Sequence, residues 1–364
     1  MRMDQVVILG AGMAGMACAR ALSRRGYRPR LVAPEHDVIN RAETLSFRAS
    51  PYLQTLDWFD LLDAGTAVAC QGRYSVWGSS ALRHDTFHQE GTSGWHIDRK
   101  RLETRMAESL DADGVSRLCG AARQLSRSPD HILVELADSS SIEAAFVVDC
   151  SGRSSITSGS EAPLRRLDKL VACYGIYKLD DDVEAAPATL VEAVESGWWY
   201  MSVMPGERIL LGFFTDSDLL PAGLRKDVTL WTDLASQTRV VSARLASLGI
   251  DAVAIGQLQF APASTTTMSR LTDHRIVRAG DAASALDPLG ANGLATALWS
   301  GMQAAESVAG LIAGDDTASQ NYERQFLEGI ASHLVTQQAM YASERRFTDA
   351  PFWQRRNGAL EEAS

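Results

Sequence analysis

Lysine is scarce in this sequence, and acidic residues outnumber basic ones. Among 35 basic residues only four are lysines, namely Lys100, Lys169, Lys178 and Lys226. The 45 acidic residues give a formal net charge of -10. A surface with this excess of negative charge repels the phosphates of nucleic acids and anionic lipids. We therefore expect no nucleic-acid partner.

Long hydrophobic runs are missing as well. No apolar stretch approaches the roughly 20 residues of a membrane-spanning helix. The short apolar run near the start of the chain is broken by glycines, unlike the core of a signal peptide. We expect no membrane association and a cytoplasmic location.

The cysteines form no pattern typical of disulfides or metal sites. Their number is odd, they include no CxxC pair, and they lie apart from the histidines: Cys18, Cys70, Cys119, Cys150 and Cys173. This argues against a disulfide framework and against structural zinc. We predict buried thiols and no bound metal.

The start of the chain does contain a glycine-rich turn between regular elements. Residues 5–9 are apolar and predict a strand, and residues 10–15 read GAGMAG. The next stretch, rich in Ala, Met and Leu, predicts a helix that stops at Gly26, and residues 30–33 predict a second strand. This succession is typical of a βαβ unit that binds a dinucleotide.

Each glycine of the turn has an expected purpose. Gly10 allows the tight turn, Gly12 lets a pyrophosphate approach the backbone, and Gly15 lets the helix pack on the sheet. The acidic residue expected after the second strand, which would hold a ribose hydroxyl, is missing because Ala33 stands there. Either Glu35 reaches back to the ribose or the adenosine is held in another way.

Two further segments place polar residues after buried strands. Asp149 follows an apolar run, and Asp281 follows a strand predicted over residues 275–279. An aspartate at the carboxyl end of a parallel strand lies where ligands bind and can accept hydrogen bonds from sugar hydroxyls. Residues 292–294 open a predicted helix, whose amides present partial positive charge to an anion.

The rest of the chain shows further signals for helices and strands. Hydrophobic periodicity predicts a helix within residues 95–110, a hairpin from strands at 132–136 and 144–148, strand-rich segments over 171–260, and long helices over 294–342.

Five motifs in a fixed order resemble a known superfamily. They are GAGMAG, RAETLS at 41–46, GWHIDR at 94–99, VVDCSGR at 147–153, and GDAASALDPLGANGL at 280–294. Together they resemble the FAD-dependent monooxygenases and flavin-dependent halogenases of the single-Rossmann type, shared with para-hydroxybenzoate hydroxylase. The resemblance implies an α/β fold with a Rossmann-like FAD-binding domain, an inserted β-rich substrate domain and C-terminal helices.

The resemblance also implies domain boundaries and cofactor contacts. Residues 1–68, 96–165 and 268–310 would form the FAD-binding domain, residues 69–95 and 166–267 the substrate domain, and residues 311–364 the helical end. The residues implied to contact FAD are Gly10, Ala11, Gly12, Ala14, Gly15, Arg41, Glu43, Thr44, Arg99, Asp281, Asn292, Gly293 and Leu294. No second GxGxxG is present, so electrons would come from transiently bound NAD(P)H or from a separate flavin reductase.

An aromatic segment resembles one particular group within this superfamily. Residues 197–200 read GWWY and precede Pro205-Gly206, a pattern similar to tryptophan-halogenase-like flavoproteins encoded beside quinone-cofactor amine dehydrogenases and amino-acid oxidases. Those proteins are thought to oxygenate a tryptophan within a protein chain. On a strand, Trp198 and Tyr200 share one face and are the candidate substrate residues, while Trp199 takes the other face. A plain aromatic sheet core fits the same pattern.

The resulting prediction is an FAD-dependent monooxygenase. It would hydroxylate an electron-rich aromatic through a flavin C4a-hydroperoxide, the substrate being an aromatic small molecule or a peptidyl tryptophan of a partner protein. A small-molecule aromatic hydroxylase, a flavin-dependent halogenase, an isoprenoid-type reductase and a non-catalytic flavin-binding maturation factor remain alternatives.

Halogenation and acid-base catalysis have weaker support in the sequence. Flavin-dependent halogenases use a lysine a few tens of residues after the glycine turn and carry a WxWxIP box. This chain has no lysine before Lys100, and its residues 198–205 read WWYMSVMP. No catalytic residue is assigned. His84, His88 and His96 are candidate bases without an identifiable carboxylate partner.

Overall fold

The fold is built on two large β-sheets, one mainly parallel and one mainly antiparallel. The computed structural model describes residues 6–35, 42–86, 94–180, 183, 185–251 and 257–357. The α/β class and the Rossmann-like domain predicted from the sequence are confirmed.

The helices of the described residues lie mostly in the first and last thirds of the chain. They are α1 (Met13–Arg24), α2 (Ser50–Thr55), α3 (Arg99–Ala112), α4 (Val228–Ser236), α5 (Val240–Ser247), α6 (Gly293–Ala313), α7 (Thr317–Ala342) and α8 (Pro351–Asn357). None of these helices combines the length and the apolar composition that a membrane crossing requires.

The strands are distributed along most of the chain. They are β1 (Val6–Leu9), β2 (Arg30–Ala33), β3 (Ala42–Leu45), β4 (Ala67–Ala69), β5 (Gly72–Val76), β6 (Arg83–Thr86), β7 (Trp95–Asp98), β8 (Ser116–Cys119), β9 (Ala122–Arg127), β10 (Ile132–Leu136), β11 (Ser141–Ala144), β12 (Phe146–Asp149), β13 (Leu164–Arg166), β14 (Leu170–Lys178), β15 (Ala188–Val194), β16 (Gly197–Met204), β17 (Arg208–Asp216), β18 (Gln259–Pro262), β19 (Thr266–Met268), β20 (Thr272–Asp273), β21 (Ile276–Arg278) and β22 (Ser284–Ala285).

The parallel sheet forms the centre of a three-layer unit. Its strand order is β20-β21-β12-β1-β2-β8, and only the β20–β21 pair is antiparallel. Strands β1 and β12 are buried along their whole length because α1 and α6 cover one face and the β9–β11 sheet covers the other. Full burial on both faces explains their unbroken apolar sequence.

The antiparallel sheet faces the carboxyl ends of the parallel strands. Its order is β18-β14-β17-β16-β15-β5-β6, with β15 and β5 parallel. Helices α4 and α5 cover one face, where Trp199 packs against Trp231 at a ring distance of 4.8 Å. The other face carries Trp198 and packs against Tyr341 of α7 and Trp353 of α8.

Three predicted elements differ in the structure. The helix predicted within residues 95–110 begins only at Arg99, because Trp95–Asp98 pairs with β3 and β4 as a strand. The strand predicted over residues 144–148 divides between β11, which closes the hairpin with β10, and β12, which joins the parallel sheet. The strand-rich region also contains α4 and α5. The domain boundaries themselves remain a prediction.

Close packing of α1 against α6 provides a test of the fold. A Cβ atom at Gly301 of α6 would lie 2.2 Å from the carbonyl oxygen of Ala14, so Gly301→Ala forces the two helices apart. We expect it to lower the free energy of unfolding by roughly 1–3 kcal/mol. Gly329→Ala is the matched control, since Gly329 is an exposed helical residue with open space around it.

The control should raise stability by about 0.5–1 kcal/mol, because alanine restricts the unfolded chain more than glycine does. Urea unfolding followed by circular dichroism measures both variants. Equal stability of the Gly301→Ala variant and the parent would contradict the packing described for α1 and α6.

Candidate functional site

A cavity of about 520 Å³ lies between the carboxyl ends of the parallel strands and the antiparallel sheet. One wall consists of the glycine turn, the start of α3 and the start of α6. The facing wall consists of side chains from β14, β16 and β17. The cavity thus joins residues as distant in the sequence as Gly12 and Ser343.

The three glycines of the turn are needed for different reasons. Gly10 has φ +107°, and a Cβ atom there would lie 2.2 Å from the carbonyl oxygen of Cys150. A Cβ atom at Gly15 would lie 1.9 Å from the carbonyl oxygen of Gly10. Gly12 is extended, with φ -80°, and its nearest neighbour would be Arg99 Nη2 at 3.9 Å. Packing therefore requires Gly10 and Gly15, whereas Gly12 keeps a part of the cavity open.

An ion-paired arginine lies beside Gly12. Arg99 donates to Glu43 Oε1 at 2.6 Å and to Glu103 Oε1 at 2.9 Å. The negative charge of Glu43, followed by that of Glu103, raises the pKa of the Arg99 guanidinium. Because both carboxylates are fixed by this arginine, Glu43 and Arg99 form one rigid part of the cavity wall together with Thr44. Arg41 lies outside the described residues.

The motif after β21 contributes the next part of the wall. Asp281 lies on a 3₁₀ turn, Gly280–Ala282, and faces the cavity with its Oδ2 3.7 Å from Arg153 Nε. Asn292 is the N-cap of α6, and Gly293 and Leu294, which follow it, line the cavity. The free amides of this first turn present partial positive charge to the cavity.

The predicted cofactor residues thus divide into two groups. Those that line the cavity are Gly12, Ala14, Glu43, Thr44, Arg99, Asp281, Gly293 and Leu294. Those that do not line it are Gly10, Ala11, Gly15 and Asn292.

Asp149 has a different position from the one its sequence suggests. Its Oδ1 accepts hydrogen bonds from the backbone and side chain of Ser151, and its Oδ2 accepts from the backbone and side chain of Thr157. The side chain is fully buried. Asp149 therefore fixes the loop after β12 rather than facing a ligand.

The facing wall carries the predicted substrate residues. Trp198 stacks on Phe214 with ring centroids 3.9 Å apart, and the hydroxyl of Tyr200 lies 2.5 Å from Thr44 Oγ1. Both Trp198 and Tyr200 line the cavity, whereas Trp199 points to the α4–α5 side of the sheet. The Tyr200–Thr44 hydrogen bond ties the two walls together.

The predicted candidate bases do not lie together. His96 is buried, its Nε2 is 3.0 Å from Thr189 Oγ1, and burial lowers its pKa to about 4. This imidazole is neutral at physiological pH. His84 is exposed and stacks on Tyr74 with centroids 4.1 Å apart. His88 lies outside the described residues.

Sequence reasoning missed a buried carboxyl group in the cavity wall. Asp287 accepts hydrogen bonds from Leu289 N at 2.8 Å, from Gln337 Nε2 at 3.0 Å and from the Tyr341 hydroxyl at 2.8 Å. Tyr341 in turn accepts one from Trp198 Nε1 at 3.1 Å. Burial raises the pKa of Asp287 to about 6.

The sequence offered one signal for this residue. An aspartate directly before a proline, between a buried strand and a helix, is a typical 3₁₀ start, and Asp287 does cap that turn. Its partners Gln337 and Tyr341 lie 50 and 54 residues further on, so only the packing of α7 identifies them.

Comparison with known proteins gives a family and several relatives. The model of the family described as "FAD binding domain" matches residues 3–327. LodB of Marinomonas mediterranea, named as an FAD-dependent oxidoreductase, is 24% identical over 98% of this chain and 98% of its own.

Solved structures show the same fold. The peptidyl tryptophan dihydroxylase QhpG superposes with a TM-score of 0.80 and 24% identity over 97% of this chain and 78% of its own. The myxobacterial chondrochloren halogenase CndH gives a TM-score of 0.83 and 18% identity over 99% of this chain and 88% of its own.

The residues present are compatible with FAD. Gly12 leaves open a space that a Cβ atom would enter, next to the start of α1, where backbone amides attract phosphate. The start of α6 offers a second set of amides to the same cavity. Across the described residues, no group of three or more His, Cys, Asp or Glu side chains is placed to hold a metal ion.

The glycine turn gives a direct test of cofactor binding. In Gly12→Val, the side chain enters the cavity without meeting protein backbone, so we expect a stability loss of only about 1 kcal/mol. FAD affinity should fall by about 100-fold or more, roughly 3 kcal/mol. Flavin fluorescence titration measures the affinity, and urea unfolding measures stability.

Gly15→Ala is the matched control for this experiment. Its Cβ atom would overlap the carbonyl group of Gly10, so the variant should lose stability whether or not flavin is present. Unchanged FAD affinity in Gly12→Val would refute the assignment of this turn to the cofactor.

Asp287 gives a second test, through the pH dependence of stability. Its folded-state pKa of about 6 lies above the ordinary value of 3.8. Protonation is therefore favoured by folding, and the group's contribution to stability is lost as pH rises through 6. Asp287→Asn cannot ionise, so its stability relative to the parent should rise by about 3 kcal/mol between pH 3 and pH 7.

Urea unfolding of both proteins across this pH range measures the difference. Parallel stability curves for the parent and the Asn variant would show that Asp287 keeps an ordinary pKa in the folded protein.

Proposed function

The chain belongs to the FAD binding domain family, and from that premise we propose that it is an FAD-dependent monooxygenase acting on a tryptophan side chain of a partner polypeptide. The observation that carries the proposal is the single cavity shared by Gly12, the start of α6, and the aromatic pair Trp198 and Tyr200. Gly12 and the start of α6 would hold the cofactor, and Trp198 and Tyr200 line the same space.

The flavin, when bound, supplies the two-electron chemistry with oxygen, and the protein supplies binding, orientation and exclusion of water. Glu43 and Arg99 hold the wall beside the glycine turn in one arrangement. Trp198 and Phe214, which stack face to face, supply apolar aromatic lining to the cavity, which suits an aromatic substrate. The Tyr200 hydroxyl remains protonated, since burial raises its pKa.

The cavity composition favours hydroxylation over halogenation. None of the lysines lines the cavity in the described part of the chain. The resemblance to halogenases implies a lysine after the glycine turn, and the described residues that occupy the wall there are Glu43 and Thr44. The described wall residues thus include no lysine of the kind that the resemblance to halogenases implies.

A polypeptide substrate is supported by two features. The solved structure of QhpG, named as a peptidyl tryptophan dihydroxylase, shares the fold over 97% of this chain. The cavity also reaches exposed residues of β5 and β6, so a side chain of another protein has a route inward. We propose transiently bound NAD(P)H or a separate flavin reductase as the electron source.

The proposal predicts a clear substrate preference. With FAD, NADH, a flavin reductase and oxygen, the protein should add oxygen to the tryptophan of a folded partner or a peptide. Free tryptophan should react at least about tenfold more slowly, because it lacks the flanking chain that would hold it at the cavity. Mass spectrometry of both products measures the difference, and the Gly12→Val variant controls for free reduced flavin.

Two outcomes would overturn parts of this proposal. Turnover of free tryptophan or a simple phenol near 1 s⁻¹, without reaction of any peptide, would replace it with a small-molecule hydroxylase. Enzyme-dependent chlorinated or brominated indole in the presence of halide would replace it with a halogenase.

A further inference from the structure

The hairpin of β5 and β6 places charged side chains at one end of the cavity. In the antiparallel register, Arg73 lies opposite Asp85, and Ser75 lies opposite Arg83. Alternate residues of a strand point to the same side, so all four side chains share one face of the sheet. All four line the cavity. We call Arg73, Ser75, Arg83 and Asp85 the rim.

The two arginines of the rim differ from the other cations of the cavity. Arg99 is bound by Glu43, and Arg153 lies 3.7 Å from Asp281. Arg73 and Arg83 have no carboxylate within ion-pair distance among the described residues, although Asp85 stands opposite Arg73 in the register. Both arginines are exposed.

The rim therefore carries a local positive charge on a protein whose net charge is -10. The positive rim attracts negatively charged groups, and the acidic remainder of the surface repels them. Arginine is suited to this task because its planar guanidinium binds a carboxylate through two parallel hydrogen bonds.

An aromatic side chain lies next to these charges. Trp77 lines the cavity, donates its Nε1 hydrogen to the carbonyl oxygen of Met340 at 2.8 Å, and packs 5.3 Å from Trp353. Its ring is thereby held in one orientation between β5 and the end of α7. Leu82, which is 47% exposed, precedes Arg83. Rigid aromatic and apolar surface beside arginine is typical of protein recognition sites.

We propose that the rim binds the carboxylate side chains of an acidic segment of the partner polypeptide, next to the tryptophan that enters the cavity. This inference rests on the proposed function and specifies its substrate: a tryptophan flanked by aspartate or glutamate. Arg73 and Arg83 hold the flanking carboxylates, and Trp77 supports the chain at the cavity entrance.

The experiment compares two peptide series with three proteins. One peptide carries a tryptophan between glutamates, a second carries glutamines at the same positions, and each has an unreactive version with phenylalanine for tryptophan. The proteins, all loaded with FAD, are the parent, the double variant Arg73→Gln/Arg83→Gln, and Arg123→Gln. Arg123 is a matched control, because it is an exposed strand arginine away from the cavity.

In the parent, the acidic peptide should bind about tenfold or more tightly than the neutral one, and salt should weaken its binding. The double variant should lose this tenfold preference both in affinity for the phenylalanine peptides and in kcat/KM for the tryptophan peptides. Arg123→Gln should keep it. FAD affinity, measured in parallel, should be the same in all three proteins.

The outcomes separate the inference from the function on which it rests. Equal binding of acidic and neutral peptides by the parent, or an unchanged preference in the double variant, would overturn the rim assignment. Tight, arginine-dependent binding of the acidic peptide without oxidation of its tryptophan would support the rim and refute the proposed reaction. A preference for free tryptophan that the double variant abolishes would also overturn the inference, because the rim would then bind the α-carboxylate of a small substrate.

Discussion

The backbone of the glycine turn touches the backbone of its neighbours directly. The carbonyl groups of Gly10, Ala14 and Cys150 lie where side chains of Gly15, Gly301 and Gly10 would otherwise be. These contacts bring β1, α1, the end of β12 and α6 to within backbone distance of one another. The glycine turn, the residues after β12 and the start of α6 line one side of the cavity, so the dimensions of that side follow from this contact.

The antiparallel sheet then closes the cavity from the other side. Alternation along β16 sends Trp198 and Tyr200 to the cavity and Trp199 to the α4–α5 core, so one strand serves two environments. Hydrogen bonds cross between the walls at Tyr200 and Thr44, and through Tyr341 between Trp198 and Asp287. The aromatic wall is therefore fixed relative to the glycine turn.

The preference for arginine over lysine has a structural counterpart. Arg356 lies 3.6 Å from the ring centroid of Phe352 and donates to Asp216 Oδ1 at 2.9 Å, which fastens α8 to the sheet. Arg99 likewise binds two carboxylates at once. A planar guanidinium can stack and form several hydrogen bonds together, whereas an ammonium group acts as a point charge. The exposed arginines of the rim, Arg73 and Arg83, are proposed to bind carboxylates in the same way.

The sequence alone determined what depends on short-range patterns. The glycine turn, β1, α1 and β2, the alternation around Trp198, and the helix start at Gly293 follow from local spacing, because backbone conformation and strand or helix periodicity act over a few residues. The same local pattern was wrong for Trp95–Asp98, where pairing with β3 and β4 overrides it.

Only the tertiary structure decided which residues share the cavity. Tyr200 meets Thr44 across 156 positions, Asp287 meets Tyr341 across 54, and Arg73 and Asp85 face each other only through the register of β5 and β6. Such pairs arise from the packing of whole elements, and a pattern read over one helix or strand contains no information on the distance between two of them. The separate roles of Gly10, Gly12 and Gly15 likewise depend on tertiary contacts, because backbone carbonyl groups lie against Gly10 and Gly15 but not against Gly12.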